Sequence, residues 1–68
     1  MNKAIIKRIK DFKAFCAWNG IPYRSAIEKA GFSYHSVIQN MRIGTISNER
    51  MTALEQSAID LAEEKKAS

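Results

Sequence analysis

Apolar residues recur at helical spacing in two long stretches of this chain. Ile5, Ile9, Phe12 and Cys16 stand three or four residues apart and share one stripe, while Lys3, Lys7, Lys10 and Asp11 fall on the opposite side. The pattern predicts a helix over about 2–19, stopped by Gly20 with Pro22 just beyond. Towards the other end Met51, Leu54, Ala58, Leu61 and Ala62 form a second stripe, predicting a helix over about 47–64. Ser47 or Asn48 can cap it, and Glu49 suits its positive end. Trp18 and Ile59 lie off these stripes and are candidates for contact with a partner.

Two shorter helices fit between them. One covers about 22–30, with proline tolerated in its first turn and Ala26, Ile27 and Ala30 on its inner side. Gly31 ends it, where a backbone with positive φ costs least without a Cβ. The next covers about 33–42, with Ser33 as N-cap, its hydroxyl accepting a bond from a free backbone N–H. Val37 and Met41 are its core anchors, and Gly44 closes it. No repeat or linker interrupts the chain. The expectation is a single all-α domain over 1–68, a compact bundle of four helices.

Composition narrows what such a domain can be. A chain of 68 residues buries a modest core and often leans on a disulfide, a metal or a partner. Cys16 is the only cysteine and His35 the only histidine, so an internal disulfide is excluded, and one Cys with one His cannot supply the four ligands of a structural zinc site. Neither a metal nor a cofactor is expected, which leaves a well-packed helical core or a homodimer. Cys16, within its apolar stripe, reads as a small core residue and not a nucleophile. Lys7, Arg8 and Lys10 interrupt any leader-like apolar run, and no stretch approaches a membrane span. A cytoplasmic setting is expected. No carboxylate pair, nucleophile–base pair or phosphate loop appears, so an enzyme is not expected.

The net charge of +4 is unevenly spread. Residues 1–20 carry five basic side chains against one acidic, residues 21–50 four against two, and residues 51–68 two against four. A basic front suits a polyanion, and an acidic rear suits a surface held away from one.

The segment from Tyr23 to Arg42 carries the functional signal. Two short helices joined by a turn of three or four residues with glycine make a helix-turn-helix. Gly31 makes the turn, Phe32 fills the space beneath it, Ser33 starts the next helix and Val37 locks it down. With Ala26-Ile27, Ala30-Gly31-Phe32, Ser36-Val37, Gly44 and the later Met51, Leu54, Ala58 and Leu61, the chain resembles the lambda-type repressor and Cro family of phage and bacterial regulators. The resemblance spans about 21–61 and implies a lambda-repressor-like fold; a fifth helix, usual in the family, fits only if the last segment breaks. Asn40 stands where the family usually places an apolar residue. If it points inward it needs a hydrogen-bond partner; if outward, it joins the residues facing a ligand.

The resemblance implies double-stranded DNA as partner, a homodimer on a two-fold operator, and a bacterial cell or phage-infected host as the setting. The second helix of the motif would lie in the major groove, with Ser33, Tyr34, His35, Gln39 and Arg42 contacting base edges. Gln pairs with adenine and Arg with guanine, each bidentately. Ile38 would suit a thymine methyl. Tyr23, Arg24, Thr45, Ser47, Asn48 and Arg50 would contact phosphates, and Ile59 and Trp18 are the candidate dimer contacts. His35 can equally be a solvated polar residue, and Tyr34 can pack against the turn or the last helix. Two other readings stay open: an excisionase-like architectural DNA-binding factor, and a helical protein-interaction module such as an antirepressor or antitoxin.

Overall fold

The structure is a computed structural model that describes residues 3–67. It contains α1 (Lys3–Asn19), α2 (Tyr23–Lys29), α3 (Tyr34–Ile43) and α4 (Asn48–Ala67), with no strand among the described residues. The fold is all-α, as the periodicity predicts. Asn2, placed at the start of the first helix by the sequence, lies outside the described residues.

α1 and α4 run side by side in the same direction. Near the start of both, Arg8 Nε and Nη2 donate to the Glu55 carboxylate, Nη2 also to Thr52 Oγ1 at 3.0 Å, and Nη1 to Asn48 Oδ1 at 3.3 Å. Near their ends, Lys65 Nζ donates to the Asn19 and Gly20 carbonyls at 2.9 and 3.2 Å. Two helices with the same rise per residue keep a nearly constant offset only when parallel. The chain between them must therefore return to the starting end, and α2 and α3 make that return. α2 packs against α4, and α3 against α2.

The core is built from the predicted stripes with three changes. Ile5, Ile9, Phe12 and Cys16 are buried, as are Ala26, Ile27, Val37, Met41, Met51, Leu54, Ala58 and Ala62. Ile21 and Ile46 join them from the loops. Leu61, expected in the α4 stripe, and Ala30, expected on the inner side of α2, are only half-buried. Ser57 is buried instead, because its position on α4 faces α2, where its hydroxyl donates to the Ala26 carbonyl at 2.6 Å. Small Ala26 lets the helices come close enough for that bond, so a polar residue sits in the core with its partner satisfied.

The helix ends explain how the loops enter the core. Gly31 has φ +85°, Gly31 N–H donates to the Glu28 carbonyl and Phe32 N–H to the Ile27 carbonyl, at 2.9 and 3.2 Å. This is a Schellman ending, which satisfies the last carbonyls of α2 and turns the following residue back over the helix. α1 ends the same way: Gly20 has φ +65°, and Ile21 N–H donates to the Cys16 carbonyl at 2.8 Å. The ending delivers Ile21 to the core and Phe32 to its edge.

Three helices have bounds that differ from the sequence expectation. α2 spans Tyr23–Lys29, not 22–30, with Pro22 and Ala30 as its caps. α3 starts at Tyr34 with Ser33 in the N-cap position, but the Ser33 hydroxyl makes no capping bond; only its carbonyl is used, accepting from Val37 N–H at 3.1 Å. α3 runs on to Ile43 before Gly44 turns it. α4 continues to Ala67 instead of ending near 64, since Lys65 is tied to the end of α1 and Lys29 Nζ to Glu64 at 3.0 Å. It does not break, so no fifth helix forms among the described residues.

Burial has a measurable consequence at Cys16, which has no exposed surface. Desolvation penalises the thiolate and pushes the thiol from 9.0 up to about 11. Between pH 9 and 11 the unfolded chain loses this proton while the folded chain keeps it, so stability falls as pH rises. The expected result is a wild-type stability advantage over Cys16→Ala that shrinks between pH 9 and 11 by up to about 2–3 kcal/mol. Paired urea titrations across that range check it, because lysine and tyrosine titration cancels in the difference. A gap independent of pH would contradict a buried thiol.

Candidate nucleic-acid interface

The outward surface of α3 follows from what its inner surface buries. Val37 and Met41 are fixed in the core, so residues half a turn away must face solvent. His35, Gln39 and Arg42, spaced i, i+4 and i+7, form that outer stripe, and all three are exposed. Ser36 and Ile43 border it on one side and are also exposed, Ile43 to 50%. The other side is bordered by half-buried Tyr34 and Ile38. Ser33 lies exposed just before the helix. Of the five residues predicted to face bases, His35, Gln39 and Arg42 are brought onto one stripe, Ser33 stands at its entrance, and Tyr34 is turned towards the flank.

Tyr34 has a specific reason to turn aside. Its ring packs against the core edge and carries the Arg24 guanidinium 4.7 Å from its centroid. Two residues earlier, the Phe32 ring carries the Arg50 guanidinium at 5.3 Å. His35 meets Tyr34 edge-on, with centroids 5.6 Å apart. The turn between α2 and α3 and the first residue of α3 thus supply two rings, each with an arginine from the beginning of a different helix. A guanidinium stacked on a ring keeps its N–H edge available for an anion. The ring contacts hold Arg24 and Arg50 in place without using the groups that would bind phosphate.

The α4 end of this surface is fixed by Ser47, whose Oγ accepts from Arg50 N–H at 3.2 Å. This is the N-cap bond foreseen for Ser47, and it pins the backbone that carries Arg50. Thr45 and Asn48 are exposed, but their side chains already have partners within the chain: Thr45 Oγ1 donates to Asn40 Oδ1 at 3.4 Å, and Asn48 Oδ1 accepts from Arg8. Tyr23 is half-buried and packed against the core, with its ring 6.1 Å from that of Phe12. Asn40 takes neither of the two courses open to it. Its Nδ2 donates to the Ser36 carbonyl at 2.9 Å, so the side chain lies along its own helix, satisfied and half-buried.

Sequence reasoning missed the ring–arginine pairs and the role of Arg8. Arg8 counts as one of the front-half positive charges, but Glu55, Thr52 and Asn48 surround it and the carboxylate holds its guanidinium above its ordinary pKa. These contacts join residues far apart in sequence, where spacing gives no signal. Trp18 and Ile59 are exposed to 88% and 40% and lie on α1 and α4, away from α3. Among the described residues no group of His, Cys, Asp and Glu could hold a metal ion, and no helix is long and apolar enough to cross a membrane. No protein-family model, curated protein or solved structure matches the chain.

Proposed function

We propose that this protein is a sequence-specific DNA-binding regulator of the lambda-repressor and Cro kind, which places α3 in the major groove and acts as a homodimer on a two-fold operator. The observation that carries the reading is the outer stripe of α3, where His35, Gln39 and Arg42 project together beside two ring-stacked arginines, Arg24 and Arg50. A stripe of long polar side chains can read base edges, and flanking cations can hold phosphates on either side of it. Repression follows from occupying promoter DNA and needs no cofactor or catalysis.

Footprinting on the DNA adjoining its own gene tests the proposal. The expected result is protection of paired half-sites about one helical turn apart, surviving at physiological salt. Binding that stays at the level of random DNA, and disappears at that salt, would sink the regulator reading. The exposed Trp18 favours a second reading, a helical protein-interaction module, in which α3 would be dispensable.

A further inference from the structure

Between α1 and α4 runs a groove of about 270 Å³ lined by Asp11, Phe12, Phe15, Glu55, Ala58 and Ile59. Its walls are mostly apolar, and the polar side chains on its rim are two carboxylates. Asp11 accepts from Lys7 at 2.8 Å and Glu55 from Arg8, but a carboxylate has about four acceptor positions, so both retain capacity. The groove therefore suits an occupant with a broad apolar body and a hydrogen-bond donor.

The same molecule presents such a group. Trp18 is the only tryptophan, it is 88% exposed, and its indole N–H is a donor with no acceptor capacity. It stands three residues from Phe15 and seven from Asp11, hence on the same face of α1, just past one end of the groove. It does not fill its own groove. Ala14 and Ala17, both exposed beside it, leave the helix surface low enough for another helix to approach.

We infer that two copies of this chain associate through α1, each inserting Trp18 into the Phe15–Ile59 groove of the other. The geometry closes by symmetry. The groove is centred near position 13 of α1, five residues before Trp18, about 7–8 Å along the axis. If the two α1 helices run antiparallel about a two-fold axis between positions 15 and 16, each Trp18 faces the other copy's groove, and both insertions form at once. Indole N–H groups then meet the Asp11 and Glu55 carboxylates. Two insertions bury on the order of 800 Å² in all, the scale of a weak contact, so the isolated dimer forms only in concentrated solution. This association supplies the partner that the DNA reading requires, and rests on that reading only for its purpose; holding both copies on one operator raises their effective concentration.

The test uses protein without DNA, so it is separable from the DNA reading. Sedimentation equilibrium of the whole chain, up to about 1 mM, should show monomer passing to dimer, with Trp18 emission shifting to the blue in step. Trp18→Ala and Ile59→Asp should each weaken association at least about 30-fold while keeping the helical circular dichroism, since both side chains are exposed in the single chain. Mixing the two variants should give association stronger than either variant shows alone, though weaker than wild type, because one intact tryptophan then meets one intact groove. A wild-type chain that stays monomeric with unmoved emission overturns the inference. So does a dimer that neither substitution weakens, or a mixture that associates no more strongly than the separate variants.

Discussion

Leu54→Ala is expected to lower the stability of the folded chain by about 2–5 kcal/mol, more than any surface substitution in this protein. Leu54 has no exposed surface and belongs to the buried core cluster shared by all four helices. Removing its side chain forfeits transfer energy and leaves a cavity that surrounding helices fill only in part. A chain of 68 residues has about 3–10 kcal/mol to lose, so the variant should forfeit a large share of its stability. Ile59→Ala, five residues on along the same helix, should cost only about 1 kcal/mol in dilute solution, because Ile59 is 40% exposed. Urea titration followed by circular dichroism compares them. Equal losses of stability for the two would mean that α4 is rotated, with Leu54 no longer facing the core.

The second prediction concerns affinity. Gln39→Ala and Arg42→Ala should each weaken operator binding by about 1–3 kcal/mol per half-site, and each should relax sequence preference at one base position. Neither should alter stability by more than about 0.5 kcal/mol, since both side chains are exposed and neither packs on the core. Arg24→Ala and Arg50→Ala should behave differently: weaker binding to all sequences alike, with the salt slope lowered by about one for each phosphate no longer neutralised. Band-shift titrations on operator and random DNA at several salt concentrations separate the two classes. If the α3 substitutions left discrimination between those DNAs unchanged, α3 would not be the reading helix, and the protein-interaction reading would gain.

Much of the α3 surface could be read from residue order. Val37 and Met41 mark the inner side of a helix, so the outer side follows from the same period, and His35, Gln39 and Arg42 are on it. What could not be read is the condition of each side chain. Tyr34 and Arg24 are predicted for different tasks, yet they form one stacked pair. Asn48 is predicted to be available for a phosphate, yet it accepts a bond from α1. Asn40 looks like a flaw in an apolar position until its own helix supplies the Ser36 carbonyl. Such pairings depend on distances between separate elements, and the period of a helix carries no information about them.

Residue order is enough to dictate that the chain is helical, where its four helices lie to within a few residues, and which stripes of α1, α3 and α4 turn inward. Local rules govern all of these: spacing of apolar residues, glycine where φ is positive, and serine before α4. Packing in three dimensions was needed to make α1 and α4 parallel, to join them through Arg8 and Lys65 at opposite ends, and to bring Ser57 into the core in place of Leu61. It also sets Arg24 and Arg50 on rings beside the α3 surface, and leaves Trp18 clear of a groove suited to a residue of its kind. The physical reason is range. A helix is dictated by neighbours within one or two turns, whereas a hydrogen bond or a ring contact between helices exists only after the chain has brought distant residues within a few ångströms.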